Sequence, residues 1–486
     1  MTATTTVDEV SSGLPSGLLI DGRWERVDET FPVVDPATGT PIARVADASV
    51  AHGLRALDSI ADAAPGWAST TFRERAELLR RAFDALIARR EEFARLIATE
   101  MGKPLEEARG EVDYGAEFLR WYAEEVSRPD GDYRRSPDGG SRILVSRRPI
   151  GPCLLITPWN FPLAMATRKV AAALAAGCTA ILKPAPQTPL TTLRFAQLLL
   201  DAGLPAGVLN VVTTMDAPAV CGALLADGRI RKVSFTGSTA VGRLLIAQCG
   251  PQVVRPSMEL GGNAPFIVDE DADLDRAVEG AMVAKMRNMG QACTAANRFL
   301  VHRRVADEFG RRLAERMRDL TVGHGLDPQS QVGPMIDGAA CDKLAGLVQD
   351  AVDHGARLLT GGSPLPGPGT FFEPTVLTDV APGSRMFADE IFGPVAGVTC
   401  FDDLDEAVAV ANDTEYGLVA YLYSGNTEKA LRTAERLDVG MVALNRALVS
   451  NAAAPFGGIK QSGLGREGGR EGINDYLDLQ YVAIDA

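Results

Sequence analysis

Pro152-Cys-Leu-Leu-Ile-Thr157, Thr179-Ala-Ile-Leu-Lys183, Val208-Leu-Asn-Val-Val212 and Val233-Ser-Phe-Thr236 are short apolar runs set between helical stretches. The alanine-rich segment 163–176 follows the first run and 190–202 follows the second. A further helix precedes the fourth run, and another follows it. Apolar strands alternating with helices predict βαβ units and a parallel sheet buried on both faces. Open sheets of this kind bind ligands beyond the carboxyl ends of their strands.

Outward from this stretch the pattern changes. Toward the N-terminus, 18–45 holds apolar runs broken by Asp-Gly, Asp-Pro and Thr-Gly, which predicts strands and turns. Residues 1–15 are polar and expected to fray. Thr71-x-x-Glu74 has the form of a capping box. After it Phe72, Ala76, Leu79, Phe83, Leu86 and Ile87 recur at helical spacing, and 113–126 is a second helical stretch. Toward the C-terminus a second α/β pattern begins with Ala264-Pro-Phe-Ile-Val268. It continues with a helix from about 273 and strands near 296–302, 370–378 and 395–401. Segments 141–148 and 478–484 read as strands that can pair at an edge with another subunit.

The chain has 486 residues, 46% of them hydrophobic, which is enough for a large core and two domains. A net charge of −14 argues against a nucleic-acid partner, because phosphate binding needs a basic face. The seven cysteines form no CxxC pair and no metal-ligand spacing, so reduced thiols and no metal site are expected. The first residues lack the basic start and apolar core of a secretory signal. No apolar run is long enough to cross a bilayer. A soluble cytoplasmic protein, without a membrane partner, is the expectation.

Two motifs carry the chemistry. Cys293 lies in Lys285-Met-Arg-Asn-Met-Gly-Gln-Ala-Cys-Thr-Ala-Ala-Asn-Arg298, and Glu259 in Met258-Glu-Leu-Gly-Gly-Asn-Ala-Pro265. A buried structural thiol is the ordinary fate of a cysteine, but the Gly290-Gln291 turn and the neighbouring motifs argue otherwise. A thiol can add to an aldehyde, release hydride and leave a thioester for water to cleave. Glu259 suits the base that activates this water, since a carboxyl with a raised pKa works near neutrality. Asn160, in Pro158-Trp-Asn-Phe-Pro162 after the first strand, can join the Cys293 N–H as oxyanion donor. The four histidines sit in no motif that would make a Cys–His pair. Phe235-Thr-Gly-Ser-Thr-Ala-Val-Gly242 joins a strand to a helix without the Gly-x-Gly-x-x-Gly spacing, yet its turn and helix start can accept a pyrophosphate. Lys183 ends an apolar strand at the ligand-bearing edge.

Together these motifs resemble the aldehyde dehydrogenase superfamily over nearly the whole chain after about residue 18. Pro-Trp-Asn-Phe-Pro, Lys-Pro-Ala, Phe-Thr-Gly-Ser, Glu-Leu-Gly-Gly-Asn, Gly-Gln-x-Cys, Glu390-Ile-Phe-Gly-Pro394 and Pro455-Phe-Gly-Gly458 stand in the family's order. The resemblance implies an α/β fold: a Rossmann-like dinucleotide-binding domain (1–132 and 149–256), an α/β catalytic domain (257–455) and a β-strand oligomerisation arm (133–148 and 474–486). It implies that Cys293, Glu259 and Asn160 are catalytic. It places NADP or NAD on Trp159, Lys183, Pro186, Thr236, Gly237, Ser238, Glu390 and Phe392, and it implies a homodimer or homotetramer.

Within the superfamily the chain is most similar to succinate-semialdehyde dehydrogenases. The similar stretches are Thr167-Arg-Lys169, Ile230-Arg-Lys-Val-Ser-Phe-Thr-Gly-Ser-Thr239, Met286-Arg-Asn288 and Ser462-Gly-Leu-Gly-Arg-Glu467. That likeness implies a substrate carboxylate held by Arg168, Arg287 and Ser450. Three departures stand out. Pro186 replaces an acidic residue many relatives carry, which removes repulsion toward a 2′-phosphate and implies that NADP is accepted. Asn445-Arg-Ala447 and Ala452 alter the substrate loop. Ala295 replaces a second cysteine, so no local disulfide switch is available. The expected reaction is oxidation of succinate semialdehyde to succinate. Another semialdehyde or neutral aldehyde is the near alternative, and a cofactor-free thiol esterase the distant one.

Overall fold

The computed structural model describes residues 13–128 and 131–485. The frayed segment expected at the N-terminus therefore lies mostly outside the described residues. No helix among them is long and apolar enough to cross a membrane.

The four opening runs form the centre of an eight-stranded sheet. Its order is Gly463–Leu464, Arg255–Glu259, Lys232–Thr236, Cys153–Ile156, Ala180–Lys183, Leu209–Val211, Leu18–Ile20 and Arg23–Glu25. The five strands from Arg255–Glu259 to Leu209–Val211 are parallel, and the outer ones antiparallel. Side chains alternate between its faces. Leu155 and Leu182 face the cluster of Leu79, Leu119 and Val170, while Leu154 and Ile181 face that of Leu57, Leu224 and Leu245. Register decides what the carboxyl edge displays. Ile156 is level with both Lys183 and Phe235, and Thr236 is level with Glu259. The loop holding Asn160, the Lys183 ammonium, the Gly237 turn and the Glu259 carboxyl thus leave the sheet along one edge.

A second sheet of seven strands runs Arg357–Thr360, Thr375–Thr378, Val395–Phe401, Arg298–His302, Pro265–Val268, Val419–Tyr423 and Met441–Leu444. The strands expected near 296–302 and 370–378 are shorter than the sequence reading, beginning at Arg298 and Thr375. The helical stretch 113–126 is the second half of a longer helix, Leu105–Glu125. Thr71 and Glu74 make the reciprocal bonds of a capping box.

A third sheet joins Leu477–Asp485, Ser141–Pro149 and Asp132–Arg135. The two segments expected to seek another subunit pair with each other, antiparallel from Leu477↔Pro149 to Asp485↔Ser141. Each was read as a free edge because its intrachain partner lies more than three hundred residues away. The outer edges of this small sheet belong to Leu477–Asp485 and Asp132–Arg135.

Candidate active site

Cys293 sits on a loop fixed at every flank. The helix Leu274–Met286 ends at Arg287, and Asn288 and Met289 take left-handed φ values of 54°. Such conformations disfavour non-glycine residues by about 1–3 kcal/mol each and persist only where surrounding bonds impose them. Here the Asn288 backbone N–H donates to Glu107. Its side-chain amide donates to the carbonyls of Asn160 (3.1 Å) and Gln291 (2.9 Å). Gln291 in turn bonds Pro334 and Ile336. Tyr421 donates to Thr294 O at 2.8 Å, and Lys285 to Ala296 O at 3.0 Å. Gly290 is also left-handed, and a side chain there would strike the Gly393 backbone, which presses this loop against the one bearing Glu390 and Phe392.

The loop opens on a cavity of about 360 Å³. Its walls include Cys293, Glu259 and Asn160, with Trp159, Thr236, Gly237, Ser238, Glu390 and Phe392, and with Arg168, Arg287 and Ser450. Of the residues singled out in the sequence, Lys183 and Pro186 stand outside these walls, on the neighbouring strand end and its loop.

Burial is the largest influence on the Cys293 thiol and pushes it up to about 12, while Arg168 and Arg287 pull the other way. The thiol is thus held protonated until a base takes its proton. Glu259 provides a carboxyl in the same cavity. Burial, then the charge of Glu467, raises its pKa well above the ordinary carboxyl value. Its Oε2 is buried without a hydrogen-bond partner among the described residues. The Cys293 backbone N–H carries no hydrogen bond among the described residues. The Asn160 side-chain amide donates to Gln291 O at 2.9 Å, two residues before the thiol, leaving its second N–H for a ligand.

Behind Glu259 lies a buried charge cluster. Glu467 pairs with Arg168 and with Lys169, each at 2.5 Å, and accepts from Ser234 at 3.2 Å. Burial opposes its charge, but Arg168 and Lys169 override it and hold the carboxyl at about 2. Arg168 also lies 4.4 Å from the Phe456 ring. The sequence grouped Arg168 with Arg287, and the structure separates their surroundings. Arg287 donates to Ser450 Oγ at 3.1 Å, and no carboxylate pairs with it among the described residues. The rings of Phe161 and Tyr114 lie 5.1 and 5.7 Å from its guanidinium carbon. The Tyr114 hydroxyl, also in the cavity wall, is buried with no hydrogen-bond partner among the described residues.

A dinucleotide fits the remaining wall. Thr236 Oγ1, beside the Gly237 turn, is buried without a hydrogen-bond partner among the described residues. A side chain at Gly237 would meet the Phe235 ring. Ser238 caps the helix Thr239–Cys249, whose first amides point at this turn. Lys183 is buried with no carboxylate paired to it among the described residues, and burial lowers its pKa. Glu390 accepts from Gly262 N at 3.1 Å and is pushed by burial up to about 7. Trp159 and Phe392 meet edge to face at 5.5 Å.

Sequence reasoning missed Glu467, Lys169 and Tyr114 as parts of the site. Lys169 and Glu467 were visible inside quoted motifs, but nothing local tells that residues 298 positions apart share a bond. Tyr114 lies within a helix that the sequence marked only by its periodicity.

Residues 24–482 match the aldehyde dehydrogenase family, and the chain belongs to that family. It is 59% identical to a succinate-semialdehyde dehydrogenase of Paenarthrobacter nicotinovorans, over 91% of this chain and 98% of that one. It is 47% identical to a glutarate-semialdehyde dehydrogenase of Pseudomonas putida strain KT2440, over 96% and 97%. The crystal structure of an NADP-dependent enzyme of Escherichia coli superposes with a TM-score of 0.96 at 45% identity, covering 97% of this chain and 98% of that one.

Proposed function

We propose that the protein oxidises succinate semialdehyde to succinate with NADP or NAD. The observation that carries the substrate is the Arg287–Ser450 pair, a cation in contact with no carboxylate among the described residues and a hydroxyl in the same cavity as Cys293. The guanidinium fork matches a carboxylate, and Ser450 adds a second donor. The relatives named above act on semialdehydes that end in a carboxylate, which supports the same assignment.

In this reading Glu259 takes the proton of the Cys293 thiol as its sulfur bonds to the aldehyde carbon. The new oxyanion is held by the Cys293 N–H and the Asn160 amide. When bound, NADP or NAD would accept the hydride that leaves the former aldehyde carbon, and Lys183, Pro186, Thr236, Gly237, Ser238, Glu390, Trp159 and Phe392 would hold it. The acyl group then remains on sulfur as a thioester. Glu259, deprotonated again, takes a proton from water. The hydroxide oxygen bonds to the acyl carbon, the carbon–sulfur bond breaks, and acid and thiol are released. An esterase would leave the Lys183 ammonium and the Gly237 turn without a task. Pro186 puts no carboxylate after Lys183, which favours acceptance of a 2′-phosphate.

A panel of aldehydes tests the reading, assayed with both cofactors. Arg287→Ala should raise KM for succinate semialdehyde by about 10–100-fold, the worth of a hydrogen bond to a charged group, and barely change it for butanal. Equal losses on both aldehydes would reject the carboxylate site. Glutarate semialdehyde adds one methylene, about 0.8 kcal/mol of apolar transfer, so chain-length discrimination is expected to be severalfold at most.

The larger plan follows the same assignment: dinucleotide binding by 1–132 and 149–256, catalysis by 257–455, and assembly by 133–148 and 474–486. The exposed Leu479, Tyr481 and Ile484 on the outer strand of the small sheet support assembly into a homodimer or homotetramer, and the cytoplasm is the expected compartment. Sizing by light scattering checks it, and a monomer at micromolar concentration would reject it.

A further inference from the structure

Lys103 is a fully buried cation that has no part in the reaction just described. It lies in the loop between the helices Arg90–Glu100 and Leu105–Glu125, and it is wholly inaccessible. Its ammonium has three protons and three partners. It meets Glu111 Oε2 at 2.5 Å, donates to Asn160 O at 2.8 Å, and lies 4.0 Å from the centre of the Phe161 ring. Two of these three partners belong to the loop that carries the oxyanion donor.

Glu111 holds the same loop from its other end. Its Oε1 accepts from the amides of Leu163 (2.9 Å) and Ala164 (3.2 Å), the start of a helix with no side-chain cap of its own. One turn earlier on the same helix, Glu107 accepts from the backbone of Asn288, and the Asn288 side chain returns to Asn160 O. The lysine and the two glutamates therefore tie the Asn160 loop to the Cys293 loop. The Lys103–Glu111 pair is neutral as a unit, so its influence on the cavity is geometric rather than electrostatic.

We propose that Lys103 is a positioning residue for the reaction: by gripping the Asn160 carbonyl against Glu111, it sets the peptide plane from which the Asn160 side-chain amide reaches the oxyanion. The proposal rests on the reading of Asn160 as an oxyanion donor. A ground-state aldehyde has little charge on its oxygen, so a misplaced donor slows the bond-forming and hydride-transfer steps while leaving substrate affinity nearly intact.

A simpler role for Lys103 is to neutralise Glu111, and the test separates the two. Lys103→Met keeps the length of the chain and strands a buried carboxylate. Lys103→Met with Glu111→Gln removes that stranded charge while Gln keeps an oxygen for the amides of Leu163 and Ala164. The double variant should regain most of the melting temperature lost in Lys103→Met. Its single-turnover rate of nicotinamide reduction should stay about 10–100-fold below that of the unmodified enzyme, the scale of a misplaced catalytic group, with KM changed less than about threefold. A double variant that recovers its rate together with its stability would overturn the proposal, and so would a Lys103→Met enzyme of undiminished rate.

Asn160→Ala separates this proposal from the reading beneath it. Alone it should slow the same step by about 10²–10³-fold, as loss of an oxyanion donor does. If it does not, the oxyanion reading fails first. If it does, adding the Lys103 and Glu111 changes should slow the step little further, and multiplied losses would mean that Lys103 acts elsewhere. Should neither Lys103 variant yield soluble protein, Glu111→Gln alone carries the test. Weakening the grip should then slow hydride transfer by about three- to tenfold at constant KM, and an unchanged rate would overturn the proposal.

Discussion

Glu259 and Glu467 are both buried carboxyls close to the same arginine, and their surroundings drive them in opposite directions. Glu467 has Arg168 and Lys169 within 2.5 Å and is held at about 2. Glu259 has no bonded partner for its Oε2, and burial and the neighbouring negative charge raise it well above 4.5. One carboxylate consumes the local positive charge, and the other is left holding its proton more firmly than an ordinary carboxyl. The pair also opposes itself in stability. Glu467, depressed when folded, contributes stability above the ordinary carboxyl value that is lost as pH falls through about 2. Glu259, raised when folded, contributes stability below 4.5 that is lost as pH rises through its folded value.

Removing the proton acceptor breaks the comparison most directly. Glu259→Gln can take a proton neither from the thiol nor from water, so reduced nicotinamide should form slowly, at most once per active site, and then stall. Steady-state turnover should fall by about 10²–10⁴-fold, the contribution of a positioned base. Trapped acyl-enzyme should appear in the mass spectrum at Cys293. Turnover at the unmodified rate would remove Glu259 from the hydrolytic step.

The unmodified enzyme supplies a gentler test. Cys293 and Glu259 both act deprotonated, and both are pushed up, the thiol to about 12. The turnover rate should therefore climb from pH 6 toward pH 9 rather than pass through an optimum near 7. A flat profile would mean that neither titration limits the reaction.

How much of this was legible before folding depends on the distance over which each residue acts. The parallel sheet was readable because its strands declare themselves locally, as continuous apolar runs between helices. Cys293, Glu259 and Asn160 were readable because each sits in a motif of its own, and the structure places all three in one cavity wall. The surroundings of Arg168 were not. Its sequence neighbours make it a twin of Arg287, and only the return of Gly463–Leu464 to the first sheet, beside Met258 and Glu259, delivers Glu467 to it. The arm was half legible for the same reason. Alternation marks 141–148 and 478–484 as strands, but alternation does not say that they pair with each other.

Glu467→Gln sharpens the comparison with a smaller effect, because it changes the base without touching it. The substitution removes the negative charge that raises Glu259, and it frees Arg168 and Lys169 to favour the ionised Glu259. Both changes lower the Glu259 pKa, so the alkaline climb of the turnover rate should move to lower pH. Folding should weaken at the same time by about 3–5 kcal/mol, because two buried cations lose their counter-charge. The two readouts answer different questions. A lower melting temperature with an unmoved pH profile would leave Glu467 as a structural partner of Arg168 alone. A shifted profile would mean that the depressed carboxylate sets the raised one, and that the opposition between them is part of how the site holds its base.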